Sequence, residues 1–344
     1  MIRRPRPTHG AALTLLAVLA LAGCAGTTAE ADRDPAAGCG PSTARVESTD
    51  VVPVTSKPPA TLPATVTSAD GTSVTVTDTS RILPVNLYGS IAEIVFSLGL
   101  GDRVVGRDTA TTFAAAAHLP RVTPAGHDLS GEAILRLDPT VVIADDSIGP
   151  PEVLNQLRRS GIPVVLIDDE QTLTAVPRHI RAIAAALGVP AAGEALVGRV
   201  DADIAAARRS APEGAPPRIA FLYLRGTAGV YLMGGKGAGS DEMIRAIGAV
   251  DAGTEIGLEK FRPLTSEGLI NAAPDVILVM TEGLESVKGV DGLLAMPGVA
   301  QTPAGRNRRV VDMDDGILLN FGARTGLAIS ALAKAVYDCE GTRP

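Results

Sequence analysis

Tryptophan is absent from the 344-residue chain, and the aromatic residues together make up only 3% of it. So thin a supply of rings argues against a stacking platform for sugars or single-stranded bases. Basic residues are also in the minority, 31 Lys and Arg against 38 Asp and Glu, for a formal charge of −7. Nucleic acid, which demands a basic face, is excluded as a partner on that ground. Cysteine is scarce: Cys24, Cys39 and Cys339 stand in no metal-binding spacing. The chain also lacks a Gly-x-Ser-x-Gly elbow, a His-Glu-x-x-His helix and a P-loop, so no enzymatic activity is expected. Beyond the N-terminal segment no run is long and apolar enough for a transmembrane helix.

The N-terminal segment itself is informative. Arg3, Arg4 and Arg6 form a basic stretch, and residues 11–20 are an almost unbroken apolar run, short for a bilayer span and suited to a signal h-region. The run ends in Leu21-Ala22-Gly23-Cys24, which looks like a lipobox. Residues 1–23 are therefore expected to be a lipoprotein signal peptide. Cys24 would carry diacylglycerol and anchor an exported protein to the outer face of the cytoplasmic membrane. The plainer alternative is a secretory signal with a chance cysteine. With Cys24 lipidated, Cys39 and Cys339 remain as an even pair in an oxidising compartment, and a disulfide between them is expected, two unpaired thiols being the alternative.

Residues 24–80 are rich in Thr, Ala, Pro, Ser and Asp and read as a tether, ending in a short β-hairpin around Asp70-Gly71. From Arg81 onward, short Val/Ile strands alternate with amphipathic helices, the pattern of parallel α/β sheets. Strands are expected at 81–86, 103–107, 140–144 and 164–167, and helices at 90–98, 129–137 and 151–160. Ser90 and Glu93 have capping-box spacing at the first of these helices. Helical sequence then runs over 176–187 and 191–209 before the α/β pattern restarts at Arg218.

The restart is a repeat. The stretch from Leu129 to Ile143 aligns without a gap onto that from Leu264 to Leu278, each copy holding a helix with an acidic first turn, a proline turn and a buried strand. The expected fold class is thus α/β: two similar lobes with parallel-type sheets, residues 81–190 and 213–344, joined by one long helix over 191–212. Ligands of such sheets bind beyond the carboxyl ends of the strands, here in the cleft between the lobes.

With the segment from Ile82 to Gly106 and the two Glu-containing repeats, the chain resembles the class III periplasmic binding proteins that serve iron–siderophore, cobalamin and haem importers, over roughly 81–337. Within them it looks most like the haem-binding lipoproteins of Gram-positive actinobacteria. The resemblance implies a monomeric substrate-binding subunit that delivers haem, as transported ligand, to an ABC permease and its ATPase. A siderophore or cobalamin binder is the alternative in the same class, and a membrane-tethered sensor without transport the alternative outside it. Family members dock the permease with one carboxylate per lobe, here Glu132 and Glu267, although a carboxylate in a helix first turn also favours the macrodipole.

Haem iron takes His, Tyr, Cys or Met as axial groups. In the haem-binding relatives a His of the first lobe and a Tyr of the second clamp the iron, and the matching positions are His127 and Tyr223. His127 precedes the first Glu helix, and Tyr223 ends a strand with Arg225 on the same face by strand alternation. A guanidinium beside the phenol would favour the phenolate that ferric iron prefers. Tyr231 and Tyr88 are the rival phenols, and a solvated loop histidine is the plain reading of His127. Met280, at a strand end, is expected to line the pocket unless it only fills the core. Arg324 is expected to meet a propionate, although Ala323 stands where the family commonly has Pro. Arg107 and Thr109 are weaker candidates.

Overall fold

The structure is a computed structural model that describes residues 39–47, 50–124, 126–209 and 215–338. The signal segment, Cys24 and Cys339 lie outside the described residues. The strands are β1 (Ser42–Ala44), β2 (Ala64–Thr67), β3 (Ser73–Val76), β4 (Ile82–Val85), β5 (Val141–Asp145) and β6 (Val164–Ile167). They continue as β7 (Arg218–Arg225), β8 (Val230–Gly234), β9 (Val250–Asp251), β10 (Phe261–Pro263), β11 (Val276–Met280) and β12 (Val310–Met313).

Two sheets carry the architecture. β4, β5 and β6 form a parallel sheet in that order. The second sheet runs β1-β12-β11-β7-β8-β10, with β9 beside β7. Its centre, β12-β11-β7, is parallel, and β8 and β10 add an antiparallel margin. β4, β5, β6, β11 and β12, rich in Val, Ile and Leu, are buried along their whole length, as strands of parallel sheets covered on both faces are. The helix Pro190–Arg209 stands between the sheets in sequence, and its 20 residues reach about 30 Å. It buries Leu196, Val200 and Ile204 and packs along the last helix, Thr325–Tyr337.

Three local expectations are corrected. The described residues of 39–80 do not behave as a tether: β1 pairs in parallel with β12, Val54 N–H donates to the Ser97 carbonyl at 2.8 Å, and at the hairpin turn Ala69 N–H donates to the Leu166 carbonyl and Leu166 N–H to Ser68 Oγ, both at 2.8 Å. Backbone pairing at these points outweighs the loop-like composition. No strand forms over 103–107. A 3-10 turn at Gly101–Arg103 swings the chain off the edge of β4, leaving only isolated bridges from Ile82 to Val104 and from Arg107 to Arg121. The capping box is not made either. The N-cap of helix Ser90–Ser97 is Gly89, whose φ of 74° and Cβ-free approach to the Ala110 carbonyl no other residue could match without strain. Glu93 is instead buried against Arg324.

Cys39 is buried and disulfide-bonded. Just beyond it, Ser42 Oγ donates to the Ala335 carbonyl at 2.9 Å. Buried Arg309 ties the same places, donating to the Gly40 carbonyl at 2.9 Å and to those of Ala335 and Val336 at 2.8 and 2.7 Å. The start of the described chain is thereby fastened to the end of its final helix.

Candidate functional site

The carboxyl ends of the parallel strands converge on a cleft of about 470 Å³. Leu87 and Tyr88 follow β4, Tyr223 and Arg225 end β7, Met280 ends β11, and Asp315 and Gly316 follow β12. Thr109, Ala110, Thr112 and His127 complete the wall on the first-sheet side, with Leu232, Phe261 and Leu319 on the other. A mostly apolar slot with a few convergent polar groups is the usual form of a small-molecule site.

His127 is exposed on a loop between β4 and β5 and faces this cleft. The loop is pinned by Thr109, whose hydroxyl donates to the Gly126 carbonyl at 2.9 Å and lies 2.8 Å from the Thr123 hydroxyl. It is closed on the far side by Leu129 N–H donating to the Gly149 carbonyl at 2.7 Å. His118 and His179, the other histidines among the described residues, sit elsewhere. His118 lines a hollow with Val51 and Phe96, and His179 is buried 2.8 Å from Asp168 Oδ1.

Strand register separates the tyrosines. Tyr223 pairs with Leu232 and Leu224 with Tyr231 across β7 and β8, so Tyr231 projects to the opposite face of the sheet from Tyr223. Tyr223 lies in the cleft with Phe261 packed edge-on, ring centroids 5.9 Å apart. Tyr88 is also in the wall, but burial pushes its phenol up, with Asp145, Asp169 and Tyr223 adding to the effect. Ionisation there is opposed.

Arg225 does share a face with Tyr223, though in a different pose from a guanidinium beside the hydroxyl. Its guanidinium carbon stands over the Tyr223 ring, 4.6 Å from the centroid, a cation–π contact. Its nitrogens donate to the Leu224 carbonyl at 2.9 Å and to Asp315 Oδ1 at 2.8 Å, and one lies 3.7 Å from the Met280 sulfur. Met280 is buried to 6% exposure yet reaches the cleft wall. Asp315 was invisible in the sequence, one acid among several in Asp312-Met313-Asp314-Asp315. Only the turn after β12 aims it at Arg225. Burial pushes its carboxyl up, against the pull of the Glu282 N–H and Arg225.

Arg324 is corrected. It lines a different hollow with Thr43, Phe113 and Met313, outside the cleft. Its backbone N–H donates to Glu93 Oε1 at 2.7 Å and its side chain to Glu93 Oε2 at 2.9 and 2.7 Å. A cation so engaged by a buried carboxylate joins the helix Ser90–Ser97 to the start of the helix Thr325–Tyr337. Arg107 directs Nη1 to the carbonyls of Asp108 and Thr111, at 3.3 and 3.1 Å.

Glu132 and Glu267 occupy equivalent places. Their helices, Gly131–Arg136 and Ser266–Ala272, are capped by Ser130 and Thr265, each hydroxyl accepting from a backbone N–H three residues on. Each turn beyond the helix passes through a left-handed residue, Asp138 at φ 43° and Ala273 at φ 42°. Ile134 and Leu269 are fully buried at matching positions, and the residue after each is exposed, Leu135 at 39% and Ile270 at 45%. Both glutamates are exposed, Glu132 in an i,i+4 pair with Arg136 at 2.8 Å.

The arrangement puts an imidazole, a phenol and a thioether around one apolar slot, all groups able to meet a metal centre. Known proteins agree with this architecture. The periplasmic binding protein family matches residues 85–316. A Bacillus subtilis (strain 168) protein described as an uncharacterised ABC transporter substrate-binding lipoprotein, YvrC, is 27% identical over 280 residues, 80% of this chain and 86% of that one. Among solved structures, the heme-binding protein HmuT is 40% identical with a TM-score of 0.84, covering 89% of this chain and 99% of its own. HmuT has also been solved with an arginine, a histidine and a tyrosine each changed to alanine. The periplasmic heme-binding protein RhuT from Roseiflexus sp. RS-1 is 46% identical with a TM-score of 0.72, over 76% of this chain and 99% of that one. Family match, sheet order and the cleft at the strand ends lead to one conclusion: the chain belongs to the periplasmic binding protein family, with the two-sheet, single-helix build of its class III members.

Proposed function

We propose that the chain is the haem-binding subunit of an ABC importer, holding haem in the cleft with His127 and Tyr223 as axial ligands from opposite walls. The observation that carries this reading is the convergence of His127, Tyr223, Arg225 and Met280 on one apolar slot. Support comes from HmuT: the tyrosine and arginine substituted there stand two positions apart, as Tyr223 and Arg225 do. Haem needs apolar walls for the ring and one or two axial ligands for the iron, roles that the apolar lining, His127 and Tyr223 would fill. Tyr223 would bind ferric iron as phenolate, Met280 would line the ring, and Arg225 would stabilise the charge on the phenol.

Export with a lipid on Cys24, and a Cys39–Cys339 bridge, complete the reading; the second is supported by the bonded state of Cys39 and its place beside the final helix. A monomer would then present Glu132 and Glu267 to the two permease subunits, and the ATPase would act behind them. The apolar residue exposed three positions after each glutamate, Leu135 and Ile270, shares its helix face and gives both contacts the mixed polar and apolar character of a docking surface.

The test is a visible spectrum of the purified protein during haemin addition. A Soret band that saturates at one equivalent, and that shifts in Tyr223→Phe and in His127→Ala, is the expected result. No Soret change in the unaltered protein would overturn the haem reading and leave the family standing.

A further inference from the structure

Asp315 belongs to none of the roles assigned above, yet it bridges two elements of the cleft wall. It opens the short helix Asp315–Leu318 after β12 and is about one-sixth exposed at the side chain, 17%. Its two oxygens serve two different elements. Oδ1 accepts from Arg225 at 2.8 Å, and Oδ2 accepts from the backbone N–H of Glu282 at 2.9 Å, at the first turn of the helix Thr281–Ser286 that follows β11. Arg225 is therefore held at two points, by Asp315 and by the Leu224 carbonyl, while its flat face lies against the Tyr223 ring. The same helix leaves room for this pose through Gly283. A Cβ there would stand 2.9 Å from the Leu224 carbonyl oxygen and 3.3 Å from Arg225 Nη1.

An unrestrained arginine at a cleft mouth samples many rotamers and pairs with any carboxylate in reach. Here the guanidinium is already satisfied from behind. Among the described residues lining the cleft, the other charged side chains are acidic, Asp315 itself and Glu282. Arg225 is thus the one permanent cation in the described lining, and Asp315 commits it to the ring of Tyr223 in preference to ligand carboxylates.

We propose that Asp315 is a positioning residue for the ligand-binding phenol: it locks Arg225 flat on Tyr223, so that the phenol meets the ligand's metal at a fixed angle and the ligand's carboxylates are left to face solvent. This inference rests on the haem reading above and adds to it a residue that never touches the ligand. The consequence is coupling. Removing Asp315 and removing Arg225 disturb the same contact, so the two changes cannot act independently.

The experiment loads the protein, Asp315→Ala, Arg225→Ala and the double variant with haemin. It records the visible spectra and the rate of haem transfer to excess apomyoglobin. Expected are a spectral shift in Asp315→Ala of the same sense as in Arg225→Ala, and transfer faster by about tenfold in each, the size of a lost charge-assisted hydrogen bond. The double variant should be no faster than Arg225→Ala alone. Asp315→Asn, nearly isosteric, keeps the test open if the alanine variant folds poorly, and should fall between. Multiplying effects in the double variant overturn the proposal, as does an Asp315 variant with the spectrum and transfer rate of the unaltered protein. In the second case the unaltered protein still binds haemin, so the failure belongs to Asp315 and not to the haem reading; no Soret band in the unaltered protein would fail both.

Discussion

Among single residues, Asp145 shows how the cleft wall is held from behind. It ends β5 with a side chain 3% exposed, and accepts from Asn86 Nδ2 at 3.0 Å and from the backbone N–H and hydroxyl of Ser147. Asn86 N–H donates in turn to buried Asp108 at 3.0 Å, and Leu87 N–H to Ser147 Oγ at 3.0 Å, so the network fixes the Leu87-Tyr88 stretch of the cleft. Burial pushes the Asp145 carboxyl up to about 6 from an ordinary 3.8, against the hydrogen bonds from Ser147 and Asn86. The native state therefore binds this proton more tightly than the unfolded chain does. Its stabilising effect is full below about pH 4 and lost as the pH rises through about 6. Thermal unfolding from pH 4 to 7 should show the unaltered protein losing up to about 3 kcal/mol relative to Asp145→Asn. A pH-independent difference between the two would contradict the linkage. None of this was legible in Ala144-Asp145-Asp146, because a carboxylate's burial depends on what covers it.

Elements show the same division. The repeated helix-turn-strand units were readable because apolar period, cap and proline turn are local, and both copies fold with Ser130 and Thr265 as caps. Glu93 misled because its spacing to Ser90 suggested a local cap, and Arg324 because its place before the last helix suggested a ligand role. They lie 231 residues apart and meet in the interior, with side chains 1% and 8% exposed. The pair joins the helix Ser90–Ser97 to the start of the helix Thr325–Tyr337. Breaking a buried ion pair from one side strands the other charge, at a cost of about 3–5 kcal/mol. Arg324→Leu should lower the denaturation midpoint accordingly, and Glu93→Leu combined with Arg324→Leu should recover much of the loss. Haem titration of Arg324→Leu under folding conditions should keep the Soret band, because the guanidinium is not in the cleft wall.

For the molecule as a whole, the duplicated surface makes the sharpest prediction. Glu132 with Leu135 and Glu267 with Ile270 are two matching exposed pairs outside the cleft lining. Glu132→Ala and Glu267→Ala should each leave haemin binding and thermal stability unchanged, exposed charges contributing little to either. In cells that depend on the importer for haem iron, each should reduce uptake, and the double variant should come close to abolishing it. Uptake at the unaltered level in the double variant would remove docking from the account of these residues.

Composition, periodicity and the internal repeat determined by themselves the α/β class, the two similar units, the connecting helix and the strand ends where a ligand would sit. These rest on interactions between residues close in sequence, or on patterns that every strand must satisfy to be buried on both faces. Tertiary structure alone decided that residues 39–80 join the body through β1, that Arg324 belongs to Glu93, and that Arg225 lies on the Tyr223 ring under the hold of Asp315. Each of those contacts joins segments distant in the chain, and which charge meets which is settled only when the sheets have packed and water has been driven from between them.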